Sequence, residues 1–172
     1  MRLWRISWYS SLEGLGGEFT DGRWHTAAVG KRIVYLAEHP ALAILEALVN
    51  LAGRTQDLPD TYQLLEIEVA SAVWSKRKFL ADKKARVFDK DLTFEESQVI
   101  GDSWLQKNPS ALAVVPSAPS PFSWNILLNP LHPDAHLVRI ANSYSLAYDE
   151  RLFKISPPNV LHLPLQTERK KR

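Results

Sequence analysis

The stretch that decides the fold covers residues 22–51 and reads GRWHTAAVGKRIVYLAEHPALAILEALVNL. Within it, residues 33–36 form a short β-branched run that is typical of a strand. An apolar segment follows after a turn. Pro40 suits the first helical position, and Gly53 suits the position after the last turn. The stretch therefore predicts a strand, a turn and a helix over about residues 40–52.

The predicted helix is apolar around nearly its whole circumference, which is typical of a buried helix. Glu46 is the one acid in its middle, and Leu42, Ala43 and Val49 lie one turn away. A buried carboxylate loses hydration unless it is paired, hydrogen-bonded or exposed to a cleft. Glu46 is therefore the first candidate functional residue, and a structural acid paired with an arginine is the alternative.

Composition restricts the class of protein. The 172 residues suit one domain, and an apolar content of 45% suffices for a hydrophobic core. The net charge of +2 is too small to indicate nucleic-acid binding, and the basic runs at residues 76–78, 83–86 and 169–172 are typical of solvated surfaces. The chain has no cysteine, which excludes disulfides and thiolate chemistry. We expect a cytoplasmic protein without a membrane span, because neither a signal-peptide pattern nor a long apolar run is present.

Other patterns predict mostly strands. Strands are expected near residues 3–9, 62–69, 111–115, 136–141 and 143–154. Thr93 and Glu96 form a capping-box pattern, which predicts a helix to about Lys107. The segments 116–124 and 125–133 are expected to be loop and connection. Strands outnumber helices and do not alternate regularly with them, which favours an α+β fold over a doubly wound parallel one.

The common catalytic motifs GxGxxG, GxSxG, HExxH and the Walker loop are missing, and the five histidines have no metal-ligand spacing. We expect the histidines to lie in loops or at the surface, and we expect no metal. The remaining candidates are polar side chains on apolar elements. Arg5 is either an edge-strand arginine or a phosphate ligand, and Arg23 either binds phosphate bidentately or faces solvent. Tyr35 could be core, and Ser117 could be an ordinary loop serine.

Several short motifs follow one another in an order that favours the functional alternative for these residues. They are Leu3-Trp4-Arg5, Gly22-Arg23-Trp24-His25, Val34-Tyr35, Pro40-Ala41-Leu42-Ala43, Leu45-Glu46, Gly101-Asp102-Ser103-Trp104-Leu105, Val115-Pro116-Ser117, Asn125-Ile126-Leu127-Leu128-Asn129-Pro130, His132-Pro133 and Tyr148-Asp149-Glu150-Arg151-Leu152. In this order the chain resembles the RES-domain family, the toxins of bacterial Xre–RES toxin–antitoxin systems. The family's name denotes an Arg, a Glu and a Ser, which here fall on Arg23, Glu46 and Ser117. Asp21 and His25 depart from the usual GGRWN.

The resemblance implies a single compact α+β domain over residues 1–155, with a split, mostly antiparallel sheet like that of ADP-ribosyltransferases. Residues 156–172 would form an extension with a basic tail. The resemblance also implies an enzyme that degrades NAD by hydrolysis or phosphorolysis, with NAD as substrate and no metal. The expected partner is an Xre-type antitoxin that blocks the cleft. Nucleic acid would be contacted only through that antitoxin, and a homodimer within the complex is possible.

The resemblance also implies roles for the candidate residues. Glu46 would stabilise the positive charge that develops on the ribose, and Arg5 and Arg23 would hold the pyrophosphate. Tyr35 would stack on nicotinamide or ribose, and Ser117 would bond the nicotinamide end or an adjacent polar residue. Trp24 and Trp124 are the candidate exposed aromatics for the antitoxin.

Two other functions stay open. The domain could be an ADP-ribosyltransferase that modifies a cellular protein. Alternatively, it could be a non-enzymatic or RNA-directed binding module that uses the basic segment 76–86. Arginine-directed transferases commonly carry a Glu-x-Glu pair, whereas Ile44 and Leu48 flank Glu46 at that spacing. This difference favours a small acceptor, water or phosphate.

Overall fold

A computed structural model describes residues 1–51, 62–81, 88–89, 91–146 and 148–153. The basic run at 83–86 and the extension at 156–172 lie outside the described residues.

Within the described residues, seven strands form one mixed sheet in the order β4-β5-β6-β2-β1-β3-β7. They are β1 (Arg2–Ser7), β2 (Val34–Ala37), β3 (Gln63–Val69), β4 (Lys78–Phe79), β5 (Leu112–Pro116), β6 (Trp124–Leu128) and β7 (Val138–Ser145). The β4–β5 pairing is parallel, and the other pairings are antiparallel. Between β1 and β2 the described residues share the single register pair Trp4 and Ala37. The sheet is therefore split at its centre. A mostly antiparallel, split sheet with separate helices is the α+β fold that was predicted.

In the part of the chain that the structure describes, three α-helices accompany the sheet: α1 (Pro40–Leu51), α2 (Ser71–Ser75) and α3 (Phe94–Lys107). The predicted capping box begins α3, because the Thr93 side chain accepts from the Glu96 N–H and the Glu96 side chain accepts from the Thr93 N–H. Asn108, with φ of 48°, ends it in the left-handed conformation. No helix in the described part of the chain is long and apolar enough to cross a bilayer.

Alternation along the strands gives the sheet two buried faces. One face carries a large apolar core that includes Leu3, Val34, Leu36, Leu65, Ile67, Leu112, Val114, Ile126 and Leu128. On the opposite face, Leu127, Val115 and Ala113 pack with Trp24 and with Trp104 of α3. Leu42 and Ala43 of α1 cover the next part of that second face at Ala37. Helices α1 and α3 thus lie on the same side of the sheet, and the candidate site is built between them.

The structure corrects two strand predictions near the C-terminus. The predicted connection over residues 125–133 contains β6, a central strand between β5 and β2. Its apolar run is short and lies between proline-containing loops, so its pattern resembles a linker. The predicted strand at 136–141 and the first residues of the one at 143–154 instead form one strand, β7, preceded by the 3-10 helix Pro133–Leu137. Farther along the second predicted strand, Glu150–Phe153 forms a 3-10 helix.

The predictions for the burial of α1 and for the position of Arg5 in the sheet are also wrong. Helix α1 is not buried all round, because Ala41, Val49 and Asn50 are exposed while Leu42 and Ala43 face the sheet. The apolar outer residues of α1 therefore do not mark a second packed face. Arg5 is not an edge-strand residue, because β1 lies between β2 and β3.

Candidate active site

Glu46 of α1 is held by two side chains from neighbouring strands. The Ser117 hydroxyl donates to Glu46 Oε1 at 2.8 Å, and the Asn125 amide Nδ2 donates to the same oxygen at 2.5 Å. Within the described residues, Oε2 of this half-buried carboxylate has no hydrogen-bond partner. The two hydrogen bonds to Oε1 thus orient the carboxylate and leave Oε2 able to accept a hydrogen bond from a ligand.

The two donors come from the ends of adjacent strands. Ser117 follows β5, and Asn125 is the second residue of β6, where it pairs with Val115. Ser117 is only 1% exposed, and its Oγ accepts the Ser120 N–H at 3.2 Å. Because Oγ accepts from the loop, its own proton is directed to Glu46. Ser117 was predicted to bond either the nicotinamide end of NAD or an adjacent polar residue. The contact with Glu46 agrees with the second alternative.

A second group of candidates surrounds the Arg23 turn, defined here as residues 22–25. Backbone hydrogen bonds between Gly22 and His25 close the turn in both directions, at 3.0 and 3.3 Å. The Tyr35 hydroxyl accepts the Trp24 N–H at 3.1 Å and lies 2.9 Å from His25 Nδ1. Tyr35 therefore holds the turn through its hydroxyl, while its ring packs beside the Trp24 cluster.

Helix α3 holds the same turn from its other side. Gln98 Nε2 donates to the Gly22 carbonyl at 3.1 Å and to the His25 carbonyl at 3.2 Å. A Cβ on Gly101 would stand 1.9 Å from the Trp24 carbonyl oxygen, so only glycine permits this approach. The turn is fixed by close packing as well as by hydrogen bonds.

Burial in this region corrects two sequence predictions. His25 and Trp24 are each 3% exposed. His25 lies in a turn, as the loop alternative predicted, but not at the surface, and Trp24 is not an exposed aromatic. Burial lowers the pKa of His25, although Asp102 and the Thr20 carbonyl act in the opposite direction. Burial raises the pKa of the Tyr35 phenol far above its ordinary value, so the hydroxyl stays protonated.

The Arg23 side chain leaves the turn and lies against aromatic rings. Its guanidinium carbon is 4.7 Å from the centroid of the Phe88 ring and 5.5 Å from that of Phe94. These distances suit cation–π contacts, which restrict the guanidinium without using its N–H groups. Within the described part of the chain, Arg23 makes no ion pair, so its donors remain available for an anion.

Arg5 lies at the split of the sheet. Its neighbours Trp4 and Ile6 pack against α1, so the Arg5 side chain leaves β1 from the opposite face. Its Nη1 donates weakly to the Tyr35 carbonyl at 3.4 Å, and its Nε is buried without a hydrogen-bond partner among the described residues. Burial lowers the pKa of Arg5. A buried guanidinium with an unused donor is suited to an anionic group.

The structure brings some candidates together and leaves others apart. Glu46 and Ser117 are in contact, and Tyr35 contacts the Arg23 turn. Tyr35 and Asn125 lie diagonally on one sheet face, because Tyr35 pairs with Leu127 in the register that pairs Ala37 with Asn125. Among the described residues, no hydrogen bond or ion pair joins Glu46 to either arginine.

The sequence patterns did not single out two residues that contact the candidate groups, Asn125 and Gln98. Asn125 is a polar residue that opens the apolar run of β6, and this break in the pattern was the available signal. Gln98 lies on α3 and is 7% exposed, which its sequence context does not indicate.

Two cavities lie away from the carboxylate. One, of about 260 Å³, is lined by Glu38, Trp74, Arg77, Phe79, Val114, Trp124 and Ile126. The other, of about 660 Å³, is bounded mainly by residues 28–32 and by the C-terminal half of α3. Glu46 lines neither cavity. In the part of the chain that the structure describes, no cluster of three His, Asp or Glu side chains could bind a metal.

Comparisons with known proteins agree on one family. A family model described as the RES domain matches residues 2–149. A protein named Toxin Res from Pseudomonas putida is 39% identical over 153 residues, which cover 89% of this chain and 100% of that protein. A protein named Prs ADP-ribosylating toxin from a Sphingobium species is 35% identical over 144 residues, covering 83% of this chain and 87% of that protein.

A solved structure supports the fold. The crystal structure of the M. tuberculosis MbcT–MbcA toxin–antitoxin complex contains a chain that matches with a TM-score of 0.63 at 16% sequence identity. The match covers 88% of this chain and 86% of that one. At this identity the likeness concerns the arrangement of strands and helices.

Proposed function

This chain belongs to the RES-domain family, and from that premise we propose that it is the toxin of a toxin–antitoxin pair that consumes NAD. The proposed reaction is cleavage of the nicotinamide–ribose bond, with water or inorganic phosphate as acceptor. The observation that carries the proposal is Glu46, with one carboxylate oxygen held by Ser117 and Asn125 and the other free of partners among the described residues.

This geometry suits the chemistry of the bond. The bond between the nicotinamide nitrogen and ribose C1′ breaks with its electron pair going to the ring nitrogen, so nicotinamide leaves as a neutral molecule. Positive charge develops on the ribose, as in glycoside cleavage. A fixed carboxylate beside it stabilises the charge and can accept a hydrogen bond from a ribose hydroxyl. Water then adds at C1′ and releases a proton, giving ADP-ribose. Phosphate would give the corresponding ADP-ribose phosphate.

The leaving group explains why the site needs few proton-transferring residues. Nicotinamide is cationic in NAD and departs without protonation, so no general acid is required. The buried His25 therefore has no proposed proton-transfer role. Arg23 supplies donors for the pyrophosphate, because guanidinium groups bind phosphate oxygens through charge-assisted hydrogen bonds. A contribution from Arg5, whose side chain leaves β1 on the opposite face, remains a prediction. A stacking role for the Tyr35 ring remains a prediction.

A second candidate function is transfer of ADP-ribose to a protein. The name of the Sphingobium relative, an ADP-ribosylating toxin, favours it. Ile44 and Leu48 give Glu46 no nearby acid on α1 to orient a protein side chain. Water and phosphate need less orientation than a side chain, so we favour degradation.

The fate of labelled NAD separates the two functions. Purified protein is incubated in cell lysate with NAD labelled on its adenylate phosphate, and nicotinamide release is followed in parallel. We expect the label in free ADP-ribose or its phosphate. Label retained on one protein band, at a rate that matches nicotinamide release, would make the chain a transferase. No nicotinamide release would remove the NAD proposal and favour a binding module.

A protein antitoxin is the proposed partner, supported by the toxin–antitoxin complex to which the chain is similar in fold. We expect the neighbouring gene product to co-purify with this chain and to suppress nicotinamide release. A complex as active as the isolated toxin would contradict inhibition by cleft blocking.

A further inference from the structure

One face of α3 contacts the Arg23 turn and the residue that follows it, Thr26, through three residues. Gln98, Gly101 and Asp102 are spaced i, i+3 and i+4, so they lie on the same side of the helix. Gln98 donates to two carbonyls of the turn, and Gly101 packs against the Trp24 carbonyl. Asp102 accepts the Thr26 N–H at 3.2 Å and the Thr26 hydroxyl at 2.6 Å, directly after the turn.

The opposite side of the turn is also held. The Tyr35 hydroxyl accepts the Trp24 N–H. A Cβ on Gly22 would come within 2.5 Å of that hydroxyl and 2.6 Å of the His25 ring, so the turn fits closely against Tyr35. The backbone is thus fixed between α3 and β2, while the Arg23 guanidinium extends to Phe88 and Phe94.

We propose that Gln98 is a positioning residue for Arg23, fixing the turn so that the guanidinium stands where the dinucleotide phosphate binds. This inference rests on the proposed function. A primary amide suits the task because its nitrogen carries two N–H donors, and two carbonyls of the turn accept them. Glutamate has almost the same shape but no donor, and its charge would face both carbonyls.

The placement of Gln98 supports a role beyond general packing. It is buried, and its two contacts go to the first and last residues of the turn. It makes no hydrogen bond to Glu46, Ser117 or Asn125 among the described residues. A change at Gln98 should therefore alter NAD binding through Arg23 and leave the Glu46 carboxylate in place.

The experiment combines Gln98→Glu with Arg23→Ala. The matched control is Gln106→Glu, the same chemical change at an exposed position of the same helix. Steady-state nicotinamide release gives kcat and KM for each variant. We expect Gln98→Glu to raise KM for NAD roughly tenfold with kcat within about twofold, since two hydrogen bonds are lost. Gln106→Glu should match the wild type.

The double variant tests whether Gln98 acts through Arg23. In the Arg23→Ala background, Gln98→Glu should change KM by less than about twofold, because two residues that act through one contact are not additive. Fully additive losses, or a fall in kcat with KM unchanged, would overturn the proposal.

Amide hydrogen exchange gives a readout that does not depend on NAD. Exchange at Trp24 and His25 should be faster in Gln98→Glu than in the wild type, with the β5 and β6 amides unchanged. Unchanged exchange at the turn would overturn the positioning role. This result would not depend on whether the wild-type protein releases nicotinamide, so the positioning role and the NAD proposal can fail separately. Gln98→Met replaces Gln98→Glu in all arms if the charged variant does not fold.

Discussion

At the scale of single residues, the Glu46 carboxylate owes its orientation to Ser117 and Asn125. Both donate to one oxygen, which leaves the other as the group that can face a ribose. Ser117 is buried and accepts a loop N–H, so its hydroxyl proton has a fixed direction. We therefore propose that Ser117 positions Glu46.

Ser117→Ala should therefore lower kcat while leaving KM for NAD nearly unchanged. Removing one hydrogen bond to a charged group costs about 1.5–3 kcal/mol, which corresponds to roughly a tenfold to hundredfold loss in rate. Nicotinamide release by the purified variant measures it, and Ser103→Ala on α3 is the control. A tenfold rise in KM at constant kcat would instead indicate that Ser117 binds the substrate.

The buried His25 predicts how stability depends on pH. Its pKa in the folded protein is lowered below the ordinary 6.5, chiefly by burial, while Asp102 and Asp21 raise it and Lys31 lowers it. The unfolded chain therefore binds the proton better, and stability should fall as pH decreases below about 6.5. Burial acts to raise the pKa of Asp102, but hydrogen bonds from Thr26 and Lys31 outweigh it and lower the pKa below the ordinary 3.8. The stability that Asp102 contributes is therefore complete above about pH 3.8 and is lost only at lower pH.

Denaturant unfolding at pH 7.5, 6.5 and 5.5 checks this prediction. His25→Asn removes the titrating group and should flatten the profile across that interval. An equally steep decline in the variant would show that another group is responsible.

At the scale of elements, α3 and β2 fix the Arg23 turn, and Gly101 is where α3 comes closest. Gly101→Ala would place a methyl group 1.9 Å from the Trp24 carbonyl oxygen, so the helix or the turn must move. Overpacking of this kind costs about 1–3 kcal/mol, even though alanine favours helix. Thermal unfolding should show a lower Tm, with Ser103→Ala as control. An unchanged or higher Tm would contradict this close contact.

The elements also show which parts of the fold were predictable. The capping box of α3 and the start of α1 at Pro40 are local signals, and both are confirmed. Strand β6 was missed because a five-residue apolar run between prolines gives no period to distinguish a strand from a linker. The exposed outer side of α1 was missed because apolar composition alone does not show which side is covered.

The candidate site was predictable to a similar extent. Glu46 was identified because an acid within an apolar helix is locally unusual, and the resemblance supplied Ser117. Asn125 gave only a weak local signal, a polar break in an apolar run, and Gln98 gave none. Their contacts join residues 79 and 76 positions apart. Such contacts depend on strand register and helix docking, which local patterns do not specify.

At the scale of the whole molecule, one face of the sheet carries Glu46, its two hydrogen-bond donors and the Arg23 turn. The β5-β6-β2 part supplies Ser117 and Asn125 and supports α1, while α3 covers the same face beside Tyr35. Arg5 lies at the split, where its side chain leaves β1 from the opposite face and its Nε has no hydrogen-bond partner among the described residues. In the proposed reaction the first face gives NAD the fixed Glu46 carboxylate and the Arg23 guanidinium for its phosphates.

The measurement that tests the proposal most directly is nicotinamide release by Glu46→Gln. The glutamine oxygen can still accept from Ser117 and Asn125, so the variant should fold like the wild type and lack only the charge. Glu95→Gln, an exposed acid on α3, is the matched control. With matched thermal melts, we predict that Glu46→Gln releases nicotinamide at least roughly a hundredfold more slowly, while Glu95→Gln is unchanged. Wild-type turnover by a folded Glu46→Gln protein would contradict the account.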